Sequence, residues 1–140
     1  MLRVTADTNV VVSGLISPNG KPREFLQTAR NGEINLTLSH AILEEAADVL
    51  SRKFDWPPED IAEARQWLSE IARIVTPAVL LEVIKEDPSD NRILECAVSA
   101  GSGYIVTGDK HLLRLGVYSG IRILKVSDFL NLERDRIHEP

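Results

Sequence analysis

The sequence predicts an α/β fold: a parallel sheet with helices on both faces. Three observations carry that prediction. Short apolar segments of strand length alternate with helical patterns along the chain. The strand segments are apolar nearly throughout rather than alternating, as strands covered on both faces are. Gly, Pro, Asn and Asp gather between the segments, where turns are needed.

The elements follow in order. Residues 2–6 (LRVTA) read as the first strand, and a loop containing Ser17-Pro18-Asn19-Gly20 comes after it. Pro22 opens a helix over residues 22–30, which Asn31-Gly32 ends. Residues 34–38 form the second strand, and Ser39 is suited to cap a helix over residues 40–53. Pro57-Pro58 breaks the chain. Residues 59–74 then carry Ile61, Ala64, Leu68, Ile71 and Ala72 at helical spacing. Residues 75–84 hold short extended segments, and Asp87-Pro88-Ser89-Asp90 is a turn into a helix over residues 91–100. A strand over 104–107, a short helix over 110–115, a last strand over 121–126 and a helical turn over 128–133 complete the chain. Residues 1–133 make a single domain, and the tail RDRIHEP, 134–140, is expected to fray.

Composition narrows the function classes. A chain of 140 residues, 44% apolar and 26% charged, suits one globular domain with a core. No segment reaches the roughly 20 apolar residues of a membrane span. Asp7 interrupts the first apolar run, so a secretory signal is not expected. A single cysteine, Cys96, excludes an internal disulfide and fits a reducing cytosol, so a cytoplasmic location is expected. The net charge of −5 argues against a basic nucleic-acid-coating module. It leaves open an enzyme whose acidic site meets phosphate through a cation.

Four acids stand where a parallel sheet places its sites, at the carboxyl ends of strands. Asp7 ends the first strand, Asp109 follows the strand at 104–107, Asp90 starts a helix, and Glu45 lies one turn into the helix after the second strand. Glu45 falls beside the apolar arc of its helix, whereas Glu44 points away beside Asp48 as a solvated acid. Each acid alone has a plain structural reading: Asp7, Asp90 and Asp109 as caps or turns, Glu45 as surface. Asp87, before Pro88, reads as a turn residue outside the site. Together, four converging carboxylates would repel, and a divalent cation removes that conflict. Oxygen-only ligands suit Mg²⁺ or Mn²⁺. Ser13 and Thr107 read as hydrogen-bonding support for the acids. No phosphate-binding glycine loop occurs, and His40, His111 and His138 lack zinc spacing. Cys96 sits among Ile93, Leu94, Ala97 and Val98 as a small core residue.

Five pieces follow one another along the chain: ADTNVVVSGL (6–15), LSHAILEEAADVL (38–50), DPSDNRILECAV (87–98), YIVTGDKHLLRLG (104–116) and IRILKVSDFL (121–130). In these pieces and their order the chain resembles PIN domains, and among them the toxin components of toxin–antitoxin pairs. The resemblance implies a compact three-layer α/β/α sandwich around a central parallel sheet. It also implies a Mg²⁺- or Mn²⁺-dependent nuclease that cuts single-stranded RNA. By the same resemblance, Asp7, Glu45, Asp90 and Asp109 match the family's acids, with Asp7, Asp90 and Asp109 as metal ligands. Ser13 and Thr107 match polar positions near the metal, and Asn9 matches more weakly. Many toxin members carry a further Asp where this chain has Leu112. An antitoxin protein and a homodimer are the implied protein partners. The helices over 22–30 and 59–74 offer apolar edges for dimerisation, and Lys21, Arg23, Arg30, Lys110 and Arg114 are candidate cations for RNA. The rival reading is a catalytically inactive PIN-like binding module. A phospho-acceptor receiver domain fits poorly, because Lys110 directly follows Asp109.

Overall fold

A computed structural model describes residues 1–137. The first strand, β1 (Leu2–Ala6), lies inside a six-stranded sheet. It pairs in parallel with β2 (Ile34–Ser39) on one side and β4 (Tyr104–Val106) on the other. Outside β2 lies β3 (Ala72–Val75), and outside β4 lies β6 (Ile121–Leu124), both parallel to their neighbours. A two-residue strand, β5 (Val117–Tyr118), closes the edge antiparallel to β6. The resulting order is β3-β2-β1-β4-β6-β5. The chain therefore builds outward from β1 to β3, then returns to the other side of β1. The strand order reverses between β1 and β4, and a crevice opens there at the carboxyl ends.

Among the described residues seven helices flank this sheet, making the expected three-layer α/β/α sandwich. They are α1 (Thr8–Ile16), α2 (Lys21–Arg30), α3 (His40–Phe54), α4 (Pro58–Ile71), α5 (Asp90–Ala100), α6 (Lys110–Leu115) and α7 (Val126–Ile137). The core holds Val4, Ala6, Leu36, Leu38, Ile105, Val106 and Ile123 from the strands. Phe129 of α7 meets Phe25 of α2 and Tyr104 of β4 edge-on, with ring centroids 5.6 and 5.7 Å apart. Such pairs add about 0.5–1.5 kcal/mol beyond the area they bury. Cys96 is buried in α5 with its sulfur 3.9 Å from the Thr5 hydroxyl and from the Thr37 carbonyl. Burial pushes its thiol pKa up to about 11. Among the described residues, no helix is long and apolar enough to cross a membrane.

The structure departs from expectation in several places, β5 among them, for which no strand is expected. Residues 8–16, expected as the lead-in to a loop, form α1. The run Val10-Val11-Val12 has weak intrinsic helix preference, but all three side chains are buried and Asp7 caps the helix. The helix expected over 59–74 ends at Ile71, because residues 72–75 pair with β2 as β3. The last strand stops at Leu124, and Val126 already belongs to α7. Residues 134–137, expected to fray, continue α7; residues 138–140, His138 among them, lie outside the described residues. Of the two helices expected to offer a dimer face, α2 turns Phe25, Leu26, Thr28 and Ala29 into the core of its own chain. In α4 only Leu68 is buried, and Trp67 borders a groove of about 390 Å³ shared with Trp56, Leu15 and Arg23.

Candidate metal centre

Asp7 follows β1 directly and is 4% exposed. Its Oδ1 accepts the Asn9 and Val10 N–H groups at 2.8 and 3.1 Å, which caps α1. Its Oδ2 accepts the Thr107 hydroxyl in a short hydrogen bond. Thr107, just past β4, also accepts the Asp109 N–H at 2.9 Å, so one threonine ties together the acids of two neighbouring strands. Asp109 caps α6 by accepting from His111 and Leu112 at 2.8 and 3.1 Å. The cap readings of Asp7 and Asp109 are thus correct, and both residues still face the crevice. Asp90 is different. It is the first residue of α5, buried, and Ser89 holds the cap position.

Asp87, expected outside the site, joins it. Single carboxylate oxygens of Asp87, Asp90 and Asp109 lie within 4.8 Å of one another. Asp87 accepts from the Ser89 N–H at 3.2 Å and the Ser89 hydroxyl at 2.6 Å. This tight turn sets its carboxylate beside the start of α5. The signal was present in the sequence as two acids three residues apart in DPSD. From α3, Glu45 reaches the same place, and Glu44 pairs at the surface with Arg65 at 3.1 Å. Asp7, Glu45, Asp87, Asp90 and Asp109, with Asn9, line one cavity of about 60 Å³. That is room for an ion and a few waters. Ser13 does not line it; it faces an adjoining cavity with Thr107. Leu112 is fully buried, so the position of the family's further acid belongs to the core here.

A strap holds this arrangement from behind. The Asn91 carboxamide oxygen accepts the Val83 and Ile84 N–H groups at 3.0 and 2.9 Å, and its nitrogen donates to the Ile84 carbonyl at 2.8 Å. Glu95 accepts the Leu81 N–H at 2.8 Å and pairs with Arg92 at 2.9 Å. The segment leading to Asp87 is thereby bound to the helix that carries Asp90.

The electrostatics show the strain of gathering acids. Burial pushes Asp90 up to about 8, with the Asp109 carboxyl and the charges of Asp87 and Asp7 adding to it. Burial likewise raises Asp7, against the pull of the Thr107, Val10 and Asn9 hydrogen bonds. It raises Glu45 too, helped by the charges of Asp7 and Asp87. At Asp109 burial is outweighed by donation from the Leu112 N–H, the Asp90 carboxyl and the His111 N–H, and its pKa falls. Asp90 and Asp109 therefore titrate as a pair sharing one proton. A divalent cation would take the place of that proton. The donor set fits one, since Asp90 Oδ2 is buried with no hydrogen-bond partner. Among the described histidines, His40 is exposed, and His111 is half-buried beside Asp109 with Nδ1 lacking a partner.

The PIN domain family matches residues 3–111, a span that takes in all five acids. An uncharacterized protein of Methanocaldococcus jannaschii is 32% identical over 118 residues, which cover 81% of this chain and 75% of the relative. Among solved structures, VapBC2 from Rickettsia felis, bound to a DNA fragment from its promoter, shares the fold with a TM-score of 0.61 at 14% identity. That match covers 87% of this chain and 97% of the other. The order of the acids along the chain, the sheet that gathers them and the family match agree: this chain belongs to the PIN-domain family.

Proposed function

We propose that the protein is a divalent-metal-dependent endoribonuclease that cleaves single-stranded RNA, with Mg²⁺ or Mn²⁺ as its cofactor. The observation that carries this reading is the convergence of Asp87, Asp90 and Asp109 within 4.8 Å, with Asp90 Oδ2 left unpartnered. These three residues would hold the cation, with Asp7 adjoining. The ion, when bound, supplies an acidified water and screens the charge of the phosphodiester. Glu45, kept ionised by that neighbouring positive charge, would orient the attacking water and accept its proton. Thr107 fixes the Asp7 carboxylate so that its free lone pairs face the cavity. The acids at the strand ends also repel RNA unless a cation is present, which couples substrate binding to metal binding.

The toxin role belongs to the same proposal. Its protein partner would be an antitoxin, supported by the likeness in fold to VapBC2, and the location would be the cytoplasm. The test is cleavage of varied RNAs with Mg²⁺ or Mn²⁺ by the wild type and by Asp90→Asn, beside Mn²⁺ calorimetry. Metal-dependent cleavage lost in Asp90→Asn supports the reading. No cleavage and no Mn²⁺ binding by the wild type would replace it with a non-catalytic module that pairs with an antitoxin or with itself.

A further inference from the structure

A second cavity, of about 330 Å³, adjoins the acid centre. Asn9 lines both cavities, and Thr107, which holds Asp7, forms a wall of the second. Its floor is apolar, built by Val10, Pro22 and Val126. Lys21 and Lys125 stand at its edge, both exposed. Lys21 pairs with Glu24 at 3.4 Å, but both side chains are mostly solvated, and such pairs are weak. Lys125 makes no ion pair among the described residues.

We infer that this cavity seats the nucleotide adjoining the scissile phosphate, with Lys21 and Lys125 holding that nucleotide's phosphate. The inference rests on the nuclease reading and names the substrate site that the reading leaves open. An acidic cluster in a chain of net charge −5 repels a polyanion. A strand docked there needs cations within a phosphate or two, and these lysines border the adjoining space. The apolar floor suits the face of a sugar or base, as the acid cavity does not. A stacked, paired nucleotide cannot drop into such a pocket, so the geometry selects a single strand over a duplex.

The test measures binding of a fluorescein-labelled single-stranded oligoribonucleotide by anisotropy, with Mn²⁺ present, in a Glu45→Gln background that blocks cleavage but keeps the acids that would hold the cation, and over a series of salt concentrations. Lys21→Ala and Lys125→Ala should each weaken binding about three- to ten-fold. Each should also flatten the slope of log affinity against log salt by about 0.7. Ser13→Phe, which fills the cavity without changing charge, should weaken binding about as much. Arg52→Ala, on α3 and paired with Asp48, should change binding less than about two-fold. Melting temperatures and, in an otherwise wild-type chain, Mn²⁺ affinity should be unchanged throughout. If the wild type cleaves RNA while Lys21→Ala, Lys125→Ala and Ser13→Phe bind normally with an unchanged slope, the cavity is not the subsite although the nuclease stands. If the wild type neither cleaves RNA nor binds Mn²⁺, both readings fall.

Discussion

One carboxylate, Asp7, caps a helix through Oδ1, accepts the Thr107 hydroxyl at Oδ2 and lines the acidic cavity. Asn is as good an N-cap as Asp. Asp7→Asn should therefore melt within a few degrees of the wild type while losing at least about 100-fold in metal-dependent cleavage. Asp7→Ala should lose the activity and also about 1 kcal/mol of stability. Equal melting curves for the two variants would show that the cap contributes nothing. Thr107→Val removes the donor to Asp7 Oδ2; Mn²⁺ affinity measured by calorimetry should fall about 10- to 100-fold. Asp7 and Asp109 stand out in the sequence because each follows a strand, and Asp90 because it opens a helix. Asp87 is harder to read: the spacing in DPSD also suits an ordinary Asp-Pro turn, and its place shows only in the fold, where Ser89 donates twice to its carboxylate.

At the scale of elements, what sequence periodicity missed has two causes. Tertiary burial overrode local preference in α1, whose three consecutive valines are weak helix formers, and backbone pairing with β2 claimed the residues of β3, which matched the preceding helix. The remaining major strands and helices were found to within a few residues, because apolar segments between turn residues mark a buried parallel sheet. Within α1, Gly14 lets α2 approach closely: a Cβ there would lie 3.0 Å from the Pro22 carbonyl oxygen and nearer still to the buried Leu26. Gly14→Ala should cost about 1–3 kcal/mol in a denaturant melt. The Asn91 strap gives a separate prediction. Asn91→Ala leaves the Val83 and Ile84 N–H groups unpaired, so hydrogen exchange should quicken over residues 81–87. Mn²⁺ affinity should fall with it, by about ten-fold. Unchanged exchange there would mean that the segment holds itself in place.

For the whole molecule, the raised acids make stability depend on pH and on metal together. A carboxyl raised from 3.8 to about 8 by folding, as Asp90 is, supports the folded state fully below its unfolded value. That support is lost as pH climbs through the folded value. Asp7 and Glu45 act in the same sense, and Asp109 opposes them only toward acid pH. In a chelator, the melting temperature should therefore fall between pH 5 and pH 8; with Mn²⁺ the fall should shrink or vanish. A melting temperature in chelator that rises over that interval would refute this account of the acid cluster. The single thiol offers a different use. With Cys96 buried and its pKa near 11, almost none of it is thiolate at neutral pH, so alkylating and maleimide reagents find no ready target in the native protein. Any cysteine introduced at an exposed position, Lys125 for instance, would be the uniquely reactive one. The native chain therefore accepts a spectroscopic label at a chosen point without first having its own cysteine removed.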